Sequence, residues 1–279
     1  MKKLTLAICL IFTLAVLGAC SDTESSSSNV SKKSEEVKTK GELKAEDYEK
    51  LYSDPKKYKG YEVEITGQVF TEPEKDEDGT YIQLWADPEN SEKNTLAAIN
   101  DPKLKIKTED YVKIKGVVKD EFEGENAFGG TIKAPMILAE SIEVVDYITA
   151  VAPTLKEIKI DKEINQHGII VTLQKIEIAN NQTRVYLKVK NDTQDNASFY
   201  SSSAKLIVGS KQLEEEYADP ETTGLQEVQS ELLSGIETEG VIVYPAIDSN
   251  EKLIKLNAEA SSDNYDLDFK PFVFEIPLN

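Results

Sequence analysis

The chain has 279 residues, with 51 acidic against 32 basic side chains and a net charge of −19. Such a field disfavours phosphate backbones and anionic headgroups, and Arg184 is the only arginine, so nucleic acid is not an expected partner. His167 is the only histidine, which excludes a two-histidine zinc site and leaves no other base for a Ser-His or Cys-His pair.

Lys2 and Lys3 precede an apolar run from Leu4 to Val16. At about 13 residues it has signal-peptide length and is too short to span a bilayer. Leu17-Gly18-Ala19-Cys20 follows, with small residues suited to a peptidase cleft and a thiol able to take a thioether-linked lipid. This tetrad resembles the lipobox of bacterial lipoproteins. The resemblance implies a signal peptide over 1–19, lipidation of Cys20, and a mature chain on the extracytoplasmic face of the cell membrane. Cys9 lies in the signal, so no cysteine remains after residue 20 for a disulfide, and stability has to come from the cores. Residues 20–43 are Ser, Lys, Glu and Thr with little apolar content, and they read as a disordered tether. About 22 flexible residues span roughly 26 Å.

The first domain is expected over 44–148. Tyr48, Leu51 and Tyr52 form a short helical stripe ended by Asp54-Pro55. Tyr61, Val63, Ile65 and Val69 then alternate with polar residues, Asp78-Gly79 marks a turn, and strands follow at Tyr81 to Ala86, Leu96 to Ile99, Val112 to Val118 and Ile137 to Val145. "ITGQV" at 65–69 and "IKGVV" at 114–118 each place glycine third in a strand. Interior glycine weakens a flat strand, and its use is a sharp coil or bulge. Two such points in five strands predict a small closed barrel. With "DPKKYKGYEVEITGQV", "EDYVKIKGVVKD" and "FGGTIKAPMILAESIEVV", the segment resembles OB-like modules related to the tRNA-anticodon-binding family. That family carries a helix between its third and fourth strands, for which only the polar 101–109 stretch is available.

Pro153 marks the boundary to a second domain over 149–279. Val171 and Leu173, Ile176 and Ile178, then Val185, Leu187 and Val189 alternate with polar neighbours, and Leu206, Val208, Val241, Val243, Leu253 and Leu267 to Ile276 continue the pattern. Turn signals stand at Asn180-Asn181, Asn191-Asp192, Gly209-Ser210 and Ser234-Gly235. Seven or eight short strands with this punctuation predict a β-sandwich. "GIIVTLQKIEIANNQTRVYLKVKND" and "LLSGIETEGVIVYPA" resemble the immunoglobulin-like, telokin-like domain at the ends of many Gram-positive lipoproteins, which implies a binding or spacer role. The fold class is therefore all-β: a five-stranded OB-like barrel followed by an immunoglobulin-like sandwich.

Several motifs imitate chemistry. Ser202-Ser203-Ala204-Lys205 with Ser262-Asp263-Asn264 copies part of a serine β-lactamase set, but Lys-Thr-Gly is missing and the first motif lies beside a strand where a helix start is needed. Asp76-Glu77-Asp78-Gly79 begins like a calcium loop, yet its fifth and seventh positions are Thr80 and Ile82. It reads as a hairpin turn, Glu214-Glu215-Glu216 as a solvated loop, and His167 in "NQHG" as a loop residue. No metal or cofactor is expected.

The remaining constellation is aromatic. In "TYIQLWA", Ile82, Leu84 and Ala86 face one way and Tyr81, Gln83 and Trp85 the other. On the second strand of an OB barrel the latter face is where that fold holds ligands. Two aromatic faces flanking an amide donor suit a sugar ring or a base, and Phe128 in "NAFGG" would form a lip. With no basic groove, a cell-wall glycan, a peptide or a surface protein fits better than nucleic acid. Packing of Tyr81 and Trp85 against the second domain or a loop is the structural alternative. The expectation is a non-catalytic, lipid-anchored surface protein. The alternatives are an accessory subunit of a membrane or cell-wall complex, and a hydrolase built on carboxylates such as Glu62 and Glu64. The ligand and the oligomeric state stay open.

Overall fold

The computed structural model describes residues 39–125, 130–248 and 250–278. The predicted signal peptide, Cys20, most of the tether and Phe128 lie outside the described residues. Lys38–Asn279 forms one compact unit with two hydrophobic cores, one drawn from residues 51–142 and the other from 169–278. The fold is all-β, with a barrel-like part and a sandwich.

The barrel begins with the helix α1 (Tyr48–Ser53) and continues through β1 (Glu62–Val69), β2 (Glu74–Lys75), β3 (Thr80–Asp87), β4 (Glu92–Ile99), β5 (Tyr111–Glu125) and β6 (Thr131–Val145). Hydrogen bonding runs β1-β5-β6-β4-β3, and a further β1–β3 pairing closes the ring. Only β4–β6 is parallel. This is the order of a five-stranded OB-like barrel, with β2 an appendage to β3. Val63, Ile65, Val69, Ile82, Leu84, Val112, Ile114, Val118 and Ile137 fill the interior.

The two strand glycines sit where the ring turns. β1 pairs with β5 as far as Gln68 and with β3 from Gln68 onward, so Gly67 stands at the changeover. A Cβ there would lie 2.2 Å from the Trp85 carbonyl oxygen. At Gly116, beside a register shift in β5–β6, a Cβ would lie 2.4 Å from the Leu138 carbonyl oxygen. Only a residue without a side chain permits these approaches.

Three features differ from expectation. Residues 101–109 form turns and no helix. Asp101 instead accepts from the Lys103 amide at 2.9 Å, and Leu104 and Ile106 rest against the core. The leading helix α1 supplies the packing, with Leu51 fully buried in the barrel. Residues 40–43, assigned by composition to the tether, lie along β1: Glu42 bridges Glu62, and the Leu43 amide donates to the Glu62 carbonyl at 2.8 Å. Finally, β5 and β6 run 15 residues each, well past the ring. Their extension is held to the 3-10 turn after α1 by Glu121, which meets both Lys56 and Lys133 at 3.1 Å.

The helix α2 (Tyr147–Ala150) leads into the sandwich strands β7 (Lys156–Gln166), β8 (Ile169–Ile178), β9 (Gln182–Asn191), β10 (Ala197–Phe199), β11 (Lys205–Val208) and β12 (Lys211–Leu213). The short helix α3 (Pro220–Thr223) precedes β13 (Glu231–Leu232), β14 (Glu237–Pro245), β15 (Leu253–Ala258), β16 (Ala260–Ser262) and β17 (Phe272–Pro277). One sheet is β14-β9-β8-β7 and the other β12-β11-β15-β17, with β13-β10-β16 as a small third sheet. Phe199, Tyr244, Phe272 and Phe274 are fully buried between them. The phase change from Val171 and Leu173 to Ile176 and Ile178 is a bulge within one strand, at the β8–β9 register shift after Leu173. β7 was not anticipated, although Ile158, Ile160 and Ile164 alternate with charged residues and pack against the core.

Candidate functional site

β3 alternates as its sequence requires, with Ile82 and Leu84 buried and Tyr81, Gln83 and Trp85 turned outward. The registers of the neighbouring strands then decide what surrounds them. Trp85 is opposite Asn94 on β4 and Gln68 on β1. Gln83 is opposite Leu96, which continues to Met136 on β6, and Tyr81 is opposite Ala98, which continues to Leu138. Three cross-strand rows result: Gln68–Trp85–Asn94, Gln83–Leu96–Met136 and Tyr81–Ala98–Leu138. None of these nine positions is charged, in a chain whose residues are 30% charged, although Glu74 of β2 stands opposite Tyr81 at the edge of the third row. Tyr81 and Leu138 are each 40% exposed.

Trp85 is not paired with Tyr81. Four residues of strand separate them by about 13 Å. Phe70, just past β1, lies on Trp85 with ring centroids 3.8 Å apart and planes 10° from parallel. The Phe70 amide, donating to the Gln83 carbonyl at 3.2 Å, holds the ring in place. The Gln83 side chain donates from Nε2 to Asn94 Oδ1 at 3.1 Å, and Gln68 donates to the Glu109 carbonyl at 3.3 Å. Partial burial, then the hydrogen bond and charge of Asp76, push the Tyr81 phenol up, so it stays a neutral donor. The surface is an aromatic stack, an amide pair and a second aromatic along one outward face. Phe70, Asn94, Leu96, Met136 and Leu138 were absent from the expected set. Leu96 and Leu138 lie in the unbroken apolar runs 96–99 and 136–139, so neither their outward phase nor their adjacency to Gln83 and Tyr81 was readable from alternation.

The other motifs have local partners. Lys205 pairs with Glu214 and touches the backbone oxygen of Ser202, not a serine hydroxyl. Ser262 donates to the Asn196 carbonyl and Asn264 to Asp195. Asp76 accepts from the amides of Asp78 and Gly79 at 2.8 and 2.9 Å, which makes it the turn acceptor of the β2–β3 hairpin. His167 and Gly168, both at positive φ, form the two-residue β7–β8 hairpin, where His167 meets the Asp268 carbonyl at 3.0 Å. Glu64 lies 2.6 Å from Lys113 and 3.4 Å from Lys115, whose hydrogen bonds hold its carboxyl below the usual range. A glycosidase acid needs the opposite shift. Among the described residues no group of three His, Cys, Asp or Glu side chains is placed to hold a metal.

The lone arginine is structural. Arg184 is fully buried and donates from Nε and Nη2 to Glu177 at 3.0 and 2.9 Å. Its Nη1 reaches the Ala152 carbonyl at 2.9 Å and its Nη2 also reaches Thr154 at 2.7 Å. Glu177 further accepts from Tyr186 and pairs with Lys175. Burial raises the Glu177 carboxyl, but these donors outweigh it and hold the group below its ordinary value.

The class defined by this geometry is an all-β protein that joins a barrel to a sandwich and carries a platform of aromatic and amide side chains on the barrel's outer face. No family model matches the chain, and no curated protein matches it. Solved structures with partial likeness are a functionally unknown protein from Listeria monocytogenes, at 10% identity and TM-score 0.38 over 48% of this chain and 94% of that one. A conserved hypothetical protein from Bacillus anthracis is 14% identical, with TM-score 0.29 over 38% and 90%. A conserved domain protein from the same organism is 7% identical, with TM-score 0.36 over 78% and 77%. These likenesses carry no argument about function.

Proposed function

We propose that the protein is a non-catalytic, lipid-anchored lipoprotein that binds an extracellular ligand on the outer face of its barrel. The observation that carries the reading is the set of uncharged rows centred on Trp85, Gln83 and Tyr81. A chain of net charge −19 keeps these nine positions uncharged, with Glu74 and Asp76 at the Tyr81 edge, and sets aromatic and amide groups in register. Aromatic faces with adjacent amides suit neutral sugar rings, whose apolar faces stack while their hydroxyls take hydrogen bonds. Because the two aromatic positions are about 13 Å apart, more than one sugar ring spans, the fitting ligand is an oligosaccharide of which two non-adjacent units meet Tyr81 and the Phe70–Trp85 stack. The lipobox resemblance at Leu17–Cys20 supports the cell-wall side of the membrane as the place of work.

Trp85 is the only tryptophan, so its emission reports the platform directly. Titration with neutral wall oligosaccharides is expected to shift that emission, and Trp85→Ala with Tyr81→Ala to abolish binding while the fold is kept. Flat titrations across neutral glycans would overturn the ligand assignment and leave the platform to a protein partner, as in an accessory subunit. For the anchor, mass spectrometry finding Cys20 without lipid in membrane fractions would overturn that part.

A further inference from the structure

The segment between barrel and sandwich has a fixed partner at nearly every step. Asp146 caps α2 by accepting from the Thr149 amide at 2.7 Å. Tyr147 packs edge-on against Tyr111 of β5 and donates to Glu89 at 3.4 Å. Ala152 is fully buried, with its carbonyl held by Arg184, and Thr154 donates to Glu177 at 3.1 Å while accepting from Arg184. The Leu155 amide donates to the Ile178 carbonyl at 2.8 Å and enters the sandwich sheet. A direct bridge also exists: Asn181, in the β8–β9 turn, donates to Glu89, in the β3–β4 turn, at 3.0 Å and to the Val151 carbonyl at 3.4 Å. α2 packs against β1 and β5 on one side and α3 on the other.

We infer that Arg184 is a positioning residue whose fork, set on Glu177, clamps the 151–154 segment so that barrel and sandwich move as one rigid body. Domains joined by a short segment move relative to each other by default unless something fixes them. Here the fixing element is a planar five-donor side chain that reaches one carboxylate, one backbone carbonyl and one hydroxyl at once, a geometry lysine cannot reproduce. Its cost is a buried ion pair, and the single arginine of the chain is spent at this joint and nowhere on the surface. The outer face of the barrel is thereby presented at a constant angle to the sandwich.

The test is the width of a distance distribution. The full chain, with Cys9→Ser and Cys20→Ser, carries spin labels at Lys103→Cys in the barrel and Lys211→Cys in the sandwich, both exposed. A single narrow distance is expected. Arg184→Met with Glu177→Met removes the pair without stranding a charge and is expected to broaden the distribution about twofold or more while the sandwich core stays folded by NMR. A folded double variant with the original width would overturn the inference. If that variant does not fold, Thr154→Val, which removes only the hydroxyl shared by Arg184 and Glu177 and leaves the Asn181–Glu89 bridge in place, decides the matter. Broadening supports the clamp, and an unchanged width overturns it.

Discussion

Phe70 lies flat on Trp85, with ring centroids 3.8 Å apart, and this contact joins the end of β1 to the outward face of β3. The stack steadies the Trp85 platform without burying it, since Trp85 remains partly exposed. Phe70→Ala is expected to cost about 2 kcal/mol, the stacking share plus lost burial. Urea denaturation would read the cost, and a red shift of the Trp85 emission would show that the indole has become wetter.

Arg184 and Glu177 predict strong non-additivity. Arg184→Met alone leaves a carboxylate buried with one main partner fewer and is expected to cost about 3–5 kcal/mol. Arg184→Met with Glu177→Met should cost far less than the sum of the two single changes. A double-mutant cycle from urea midpoints measures the difference, and additive effects would refute the coupling.

The same pair sets a pH dependence. The Glu177 carboxyl is held below its ordinary value of 4.5 in the folded chain. Its contribution is therefore fully present above the unfolded value and lost as pH falls through the lowered folded value. Stability followed from about pH 6 to pH 3 should drop more steeply in the wild type than in the Arg184→Met, Glu177→Met chain.

Glu215 shifts the other way. Burial, and then the charge of Glu227, push its carboxyl up. The ionised form is penalised in the folded state, so the penalty operates above the folded pKa and vanishes below the unfolded one. Glu215→Gln is expected to raise the free energy of unfolding at neutral pH by about 1 kcal/mol or less, read from urea midpoints, with no gain at about pH 3.

The barrel's glycines should be far less replaceable than those in turns. Gly67→Ala puts a Cβ 2.2 Å from the Trp85 carbonyl oxygen and Gly116→Ala one 2.4 Å from that of Leu138. Each is expected to cost about 3 kcal/mol or more. Gly209→Ala, at φ +59 in the β11–β12 turn with nothing within 4 Å, should cost only about 1 kcal/mol. Comparable losses at all three would show that close strand approach is not what the strand glycines serve.

Much of the architecture was legible because its signals are local. Alternation in Tyr61–Val69, Tyr81–Ala86 and Val185–Val189 marks strands since successive side chains point to opposite faces, whatever lies beyond. Gly67 and Gly116 marked the curvature for the same reason. The lengths of β5 and β6 were harder to read, because Asp120–Glu125 is acidic and gains its pairing only from Thr131–Met136 across the hairpin. The 101–109 stretch was the only one available for the helix the resemblance implies, and its own residues, with Asp101 accepting from the amide of Lys103 two residues on, favour turns.

By itself the sequence determined which residues point outward on each strand, where the turns fall, and that no second arginine, second histidine or late cysteine is available. Only the tertiary structure decided that Tyr81, Gln83 and Trp85 stand beside Ala98, Leu96 and Asn94, that Phe70 and not Tyr81 meets Trp85, and that Arg184 lies inside. Side-chain direction is a property of neighbouring residues on one strand. Strand register and burial depend on segments distant along the chain and are settled only when the barrel and the sandwich close.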